Sequence, residues 1–85
     1  MERQYHGCVA CSGGTHRCGG GKTEWPELVG AKATVAREII ERENPNVKVH
    51  PIRCHTPRIM NCCCNRVWLD YDDVHGTVCA VPRVG

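Results

Sequence analysis

Eight of the 85 residues are cysteines, and three of them stand side by side at positions 62–64. A chain this short buries too little apolar surface to outweigh its conformational entropy comfortably. Cysteine at this density instead marks a disulfide scaffold, and the even count fits complete pairing. Pairing eight thiols is possible in 105 ways, so the sequence alone leaves the connectivity open. In an extended segment successive side chains alternate in direction, which puts Cys62 and Cys64 on one face and Cys63 on the other. The triplet therefore cannot serve a single partner region.

The other uses of cysteine are weaker. The stretch "CVACSGGTHRC" places Cys8, Cys11, His16 and Cys18 in an opening similar to a zinc knuckle, but the fourth ligand comes too early for that motif and no aromatic residues are placed to stack bases. A nucleophilic pair of Cys63 and His55 has nothing to orient it, so no enzyme and no cofactor are expected. Net charge is +2 with both signs mixed along the chain, which lacks the basic footprint that phosphate-backbone binding needs. No apolar run approaches the roughly 18 residues of a membrane span. The opening "MERQYHGCVACSGG" lacks the apolar middle of a signal peptide, while the cysteine content favours an extracellular or vacuolar setting.

Residues 1–17 carry neither helical nor strand periodicity and read as a Cys/Gly-rich arm; the folded domain is expected over 18–85. Within it, Trp25 and Leu28 supply bulk around Pro26, a residue suited to a first helical position. Val29, Ala33, Ala36 and Ile40 follow at i, i+4, i+7 and i+11, predicting a helix over 32–44 with Val29 in its core face. Asn44 and Pro45 end it. "VKVHPI" predicts a short or edge strand because Pro51 interrupts the run, "RVWL" a second strand, His75-Gly76 a turn, and "TVCAV" (77–81) a third strand. Val67, Leu69 and Val78 complete the expected core, and the five histidines are expected in solvent. Between the first two strands lies a stretch of about thirteen residues without either period, long for so small a domain and of the kind that is functional or disordered. One helix on a small mixed sheet with a long extended loop is an α+β fold.

"TEWPELVG" before the helix, the Pro-terminated helix end, the long loop, the "NRVW" strand and the closing "VPRVG" together resemble the potato inhibitor I family of serine protease inhibitors over residues 18–85. The resemblance implies a loop stretched across one edge of the domain and presented to a protease as a substrate-like strand. A loop already held in its bound shape loses little freedom on binding, and a cleaved bond whose ends stay in place can rejoin.

Counting back from Arg66 by the family's spacing puts the reactive bond at Met60-Asn61, with Thr56, Pro57, Arg58, Ile59, Cys62 and Cys63 as protease-contacting neighbours. Met60 suits the apolar pocket of a chymotrypsin- or subtilisin-like enzyme, bound by a monomeric inhibitor. Arg58 is the competing, trypsin-directed residue, but that register breaks the distance to Arg66. The family's strand arginines donate hydrogen bonds to carbonyls around the reactive bond; Arg66 matches the first, and Trp68 stands where a second is often found. Ile59 and Asn61 replace the Thr and acidic residue that usually tie into those arginines, and His55 replaces a common glycine. Members with one disulfide join positions matching Cys18 and Cys64, which implies that pairing here. A defensive target and an endogenous one are both compatible with this reading. So is a scaffold that has lost inhibition and serves as a thiol-rich interaction or storage protein.

Overall fold

The computed structural model describes residue 11, residues 21–58 and residues 62–85. A 3-10 turn at Pro26–Leu28 leads to helix α1 (Ala33–Glu43), then strands β1 (Lys48–Arg53), β2 (Arg66–Tyr71) and β3 (Arg83–Val84). β2 is central, parallel to β1 and antiparallel to β3. The expected α+β architecture is thus the observed one: one helix packed on a small mixed sheet. Among the described residues no helix is long and apolar enough to cross a membrane.

Alternation decides the faces of β2. Val67 and Leu69 are fully buried against Ala36 and Ile40 of α1, with Val49, Val78, Trp25 and Leu28 closing the core. Arg66, Trp68 and Asp70 fall on the opposite face, because side chains two residues apart in a strand point the same way. Burying an aliphatic or aromatic side chain stabilises by about 1.5–3 kcal/mol, so these few residues carry most of the core. Trp25 also meets its polar obligation, donating from Nε1 to Oε1 of Glu43 at 2.9 Å. Asn44 stops α1 and is itself buried; its amide donates to the Lys22 carbonyl at 2.9 Å and accepts from the Asn46 N–H at 3.1 Å. Pro51 lies on β1, an edge strand, where its missing N–H costs no ladder bond on the open side.

Four expectations are corrected. Residues 77–81 do not form a strand: they make only isolated bridges, Thr77 to Lys32 and Val78 to Tyr71. Their backbone bonds go to different segments, with Val78 N–H donating to Ala31, Cys79 N–H to Asp70 and Thr77 accepting from Asp72. The bonds divide between residues 30–31 on one side and residues 70–72 on the other, each pairing is limited to a single bridge, and the third strand is Arg83–Val84 instead. Val29 is 46 % exposed, because it lies in the turn ahead of α1 and helical spacing does not apply to it. Strand β2 runs on through Asp70 and Tyr71, past the expected end at Leu69. The histidines divide: His55 and His75 are exposed, whereas His50 is partly buried.

The parallel pairing of β1 and β2 places the loop. Lys48 sits opposite Arg66 and Arg53 opposite Tyr71, so the chain leaves β1 beside the far end of β2 and must return to its near end. Five strand residues at about 3.3 Å each set a span of roughly 17 Å. The connection between them is therefore the crossover that parallel strands require, returning from one end of the sheet to the other.

Candidate protease-binding site

The loop begins with a tight turn. The Cys54 N–H donates to the Tyr71 carbonyl at 2.9 Å and the Thr56 N–H to the Arg53 carbonyl at 3.3 Å. Between them His55 takes φ +65°, the left-handed region its Cβ disfavours, although histidine visits it more readily than most residues. A disulfide joins Cys54 to Cys79, with Cα atoms 6.4 Å apart. Thr56, Pro57 and Arg58 then run exposed.

Cross-links also hold the other end. Cys63 is fully buried and bonded to Cys11, with Cα atoms 5.4 Å apart. Asn65, also buried, pairs with the same residue's backbone: its Nδ2 donates to the Cys11 carbonyl and its Oδ1 accepts from the Cys11 N–H, both at 2.8 Å. This side-chain amide closes both backbone groups of Cys11, as a neighbouring strand would. Cys62 and Cys64 are disulfide-bonded as well. The expected Cys18–Cys64 bond and the expected reactive residues Ile59, Met60 and Asn61 lie outside the described residues. With Cys11 spent on Cys63, the Cys8, Cys11, His16, Cys18 zinc set loses a ligand.

The floor of the loop is the face of β2 opposite the core. Arg66 is only 7 % exposed; its Nε donates to the Gly85 carbonyl at 2.8 Å, and the Gly85 N–H returns a bond to the Arg66 carbonyl at 2.8 Å. Burial, and then the positive charge of Arg58, lower its pKa from the ordinary arginine value. Its guanidinium lies 4.6 Å from the centroid of the Trp68 ring, and that of Arg58 5.3 Å from the same ring. Arg58 is also ion-paired with Asp70. His50, opposite Trp68 in register, places its ring 5.9 Å away.

The structure therefore gathers Arg58, Arg66 and Trp68 from the sequence-derived set, and adds Asp70, Asn65 and Gly85. Extending the "RVWL" alternation by one step to Asp70 would have found the first. Asn65 and Gly85 stand in the "NRVW" and "VPRVG" motifs, but nothing local announces their partners, which are 54 and 19 residues away.

Comparison with known proteins follows the same lines. The model of the potato inhibitor I family matches residues 17–85. The chain is 45 % identical over 65 residues to a protein named inhibitor of trypsin and Hageman factor from Cucurbita maxima, covering 76 % of this chain and 94 % of that one. It is 45 % identical over 64 residues to a trypsin/subtilisin inhibitor from Amaranthus caudatus, covering 75 % and 91 %. Among solved structures, the crystal structure of bitter gourd trypsin inhibitor superposes with a TM-score of 0.75 at 36 % identity, covering 81 % of this chain and 98 % of that one. The chain belongs to the potato inhibitor I family, whose members are protease inhibitors and not enzymes.

Proposed function

We propose that this protein inhibits a serine protease in substrate-like fashion, with Met60-Asn61 as the reactive bond and an apolar-pocket enzyme of the chymotrypsin or subtilisin type as target. The observation that carries the reading is the β1–β2 crossover, cross-linked at Cys54 on one side and at Cys63 on the other. A segment so held loses little conformational freedom when it adds to a protease as an extended strand. Its cleaved ends also stay close enough to rejoin. Met60 fits the apolar pocket, Arg66 and Trp68 support the loop from β2, and a Cys18–Cys64 bond would tether the leaving side. Relatives are named as inhibitors of trypsin and of subtilisin, so the enzyme class turns on the residue offered to the pocket. A trypsin pocket carries a buried carboxylate that wants Lys or Arg.

Titrating chymotrypsin, subtilisin and trypsin with wild type and Met60→Lys tests this directly. Wild type is expected to inhibit one of the first two enzymes, and the variant to gain at least tenfold against trypsin. Strong trypsin inhibition by wild type that Met60→Lys leaves unchanged would place the reactive bond elsewhere.

A further inference from the structure

We infer that Arg58 and Asp70 form a strut that holds the loop on the side preceding the reactive bond. The inference deepens the proposed register, since it rests on Met60 being the residue offered to the protease. Ile59 and Asn61 cannot supply the hydroxyl and carboxylate links implied by the family resemblance, so charge between loop and sheet must be arranged in another way. Here the loop brings the cation and the strand holds the anion.

The side chain of Asp70 is only 10 % exposed, on the face of β2 under the loop, and Arg58 reaches down to it with its own side chain 31 % exposed. A carboxylate so far withdrawn from water is costly without a partner, and the guanidinium is that partner. Trp68 fixes the approach. Its ring takes the guanidinium of Arg58 at 5.3 Å while Arg66 occupies a position 4.6 Å from the same ring, and the Asp70 charge offsets the repulsion between the two cations. Backbone bonds do not do this work: among the described residues those of the loop's first half end at Thr56, and Pro57 has no N–H. The Arg58 side chain is the next attachment along the chain, two residues before Met60.

A second consequence separates the strut from an ordinary surface ion pair. An arginine held against Asp70 is withdrawn from the trypsin pocket, which would have to outcompete that carboxylate for the same guanidinium. The bond after Arg58 is therefore shielded from trypsin by its own domain.

Arg58→Ala, Asp70→Asn and the double variant should be compared with wild type by three readouts: melting temperature, rate of inhibitor hydrolysis in complex with chymotrypsin or subtilisin, and trypsin cleavage after Arg58 mapped by mass spectrometry. Each single variant is expected to be hydrolysed about tenfold faster with a small change in melting temperature, and the double variant no faster than the worse single one. Asp70→Asn is expected to be cut by trypsin after Arg58 where wild type stays intact. Hydrolysis at the wild-type rate in both single variants, additive effects in the double variant, or trypsin cleavage after Arg58 in wild type would each overturn the strut. Failure of the Met60 register would show differently, as a bond cleaved elsewhere in the wild-type complex, and the trypsin mapping tests the strut in either case.

Discussion

Arg66 is structural in the fold and is proposed to support the loop as well. It is buried for an arginine, anchored through Nε and its own carbonyl to Gly85, and stacked near Trp68. Its Nε bond to Gly85 is on the sheet side and fixes the guanidinium on the face of β2 beneath the loop. Arg66→Ala is expected to leave the core of Val67, Leu69 and Ile40 intact while loosening both the Gly85 end and the loop floor. Stability should fall by about 1–3 kcal/mol from the lost bonds and the unpaired Gly85 carbonyl. The variant should bind protease and then be consumed, visible as inhibition that decays with incubation time. Undiminished inhibition over hours would show that the remaining contacts suffice.

The loop between β1 and β2 is clamped by cross-links of similar thermodynamic weight and different mechanical position. In the loop-entropy picture, Cys11–Cys63, with a sequence separation of 52, constrains the unfolded chain by about 4 kcal/mol, and Cys54–Cys79, with a separation of 25, by about 3.5 kcal/mol. Replacing either pair by serine should therefore cost similar stability. Their effects on inhibition should differ. After attack on the proposed reactive bond, Met60-Asn61, the first half of the loop would stay bonded to the protease, whereas the second half would be free to leave unless the inhibitor retains it. Cys11–Cys63 acts on that leaving half, backed by the Asn65 amide. Cys11→Ser/Cys63→Ser is expected to shorten the lifetime of the protease complex several times more than Cys54→Ser/Cys79→Ser, measured by dissociation rates at matched fractions folded. Equal lifetimes would show that the two clamps are mechanically equivalent.

At the scale of the whole molecule, stability should depend on pH through a histidine that the fold partly withdraws from water. His50 has its pKa lowered by burial and then by the charges of Arg66, Lys48 and Arg37. The folded protein thus binds that proton less readily than the unfolded chain. The stabilisation from a neutral His50 is complete above the unfolded value of about 6.5 and is lost as pH falls through it toward the folded value. Asp72 and Glu27 are shifted down as well, Asp72 chiefly by the Val74 N–H and His75 and Glu27 chiefly by Lys22, so their losses follow at lower pH, in the carboxylate range. Urea midpoints are expected to fall between about pH 7 and 5, and His50→Gln should flatten that segment. A flat wild-type profile over that range would count against the burial of His50.

Helix α1 and the run of β2 were legible in the sequence because a period of 3.6 or 2 is written by neighbours that share one element, and "TEWPELVG", "NRVW" and "VPRVG" stood at readable distances. The cysteine count announced cross-links, and six of the eight cysteines are seen in disulfides. What the sequence could not hold was which distant groups meet. Residues 77–81 look like a strand because Val78 must be buried, yet their hydrogen bonds divide between two separate segments, residues 30–31 and residues 70–72, which no local pattern encodes. Cys11 finds Cys63, Asn65 finds the Cys11 backbone, and Arg58 finds Asp70 through tertiary packing between segments remote in sequence. Local periodicity follows from backbone geometry and solvent, so the sequence alone determines it; the pairing of remote charges, amides and thiols depends on strand order and register, which only the packed tertiary structure decides.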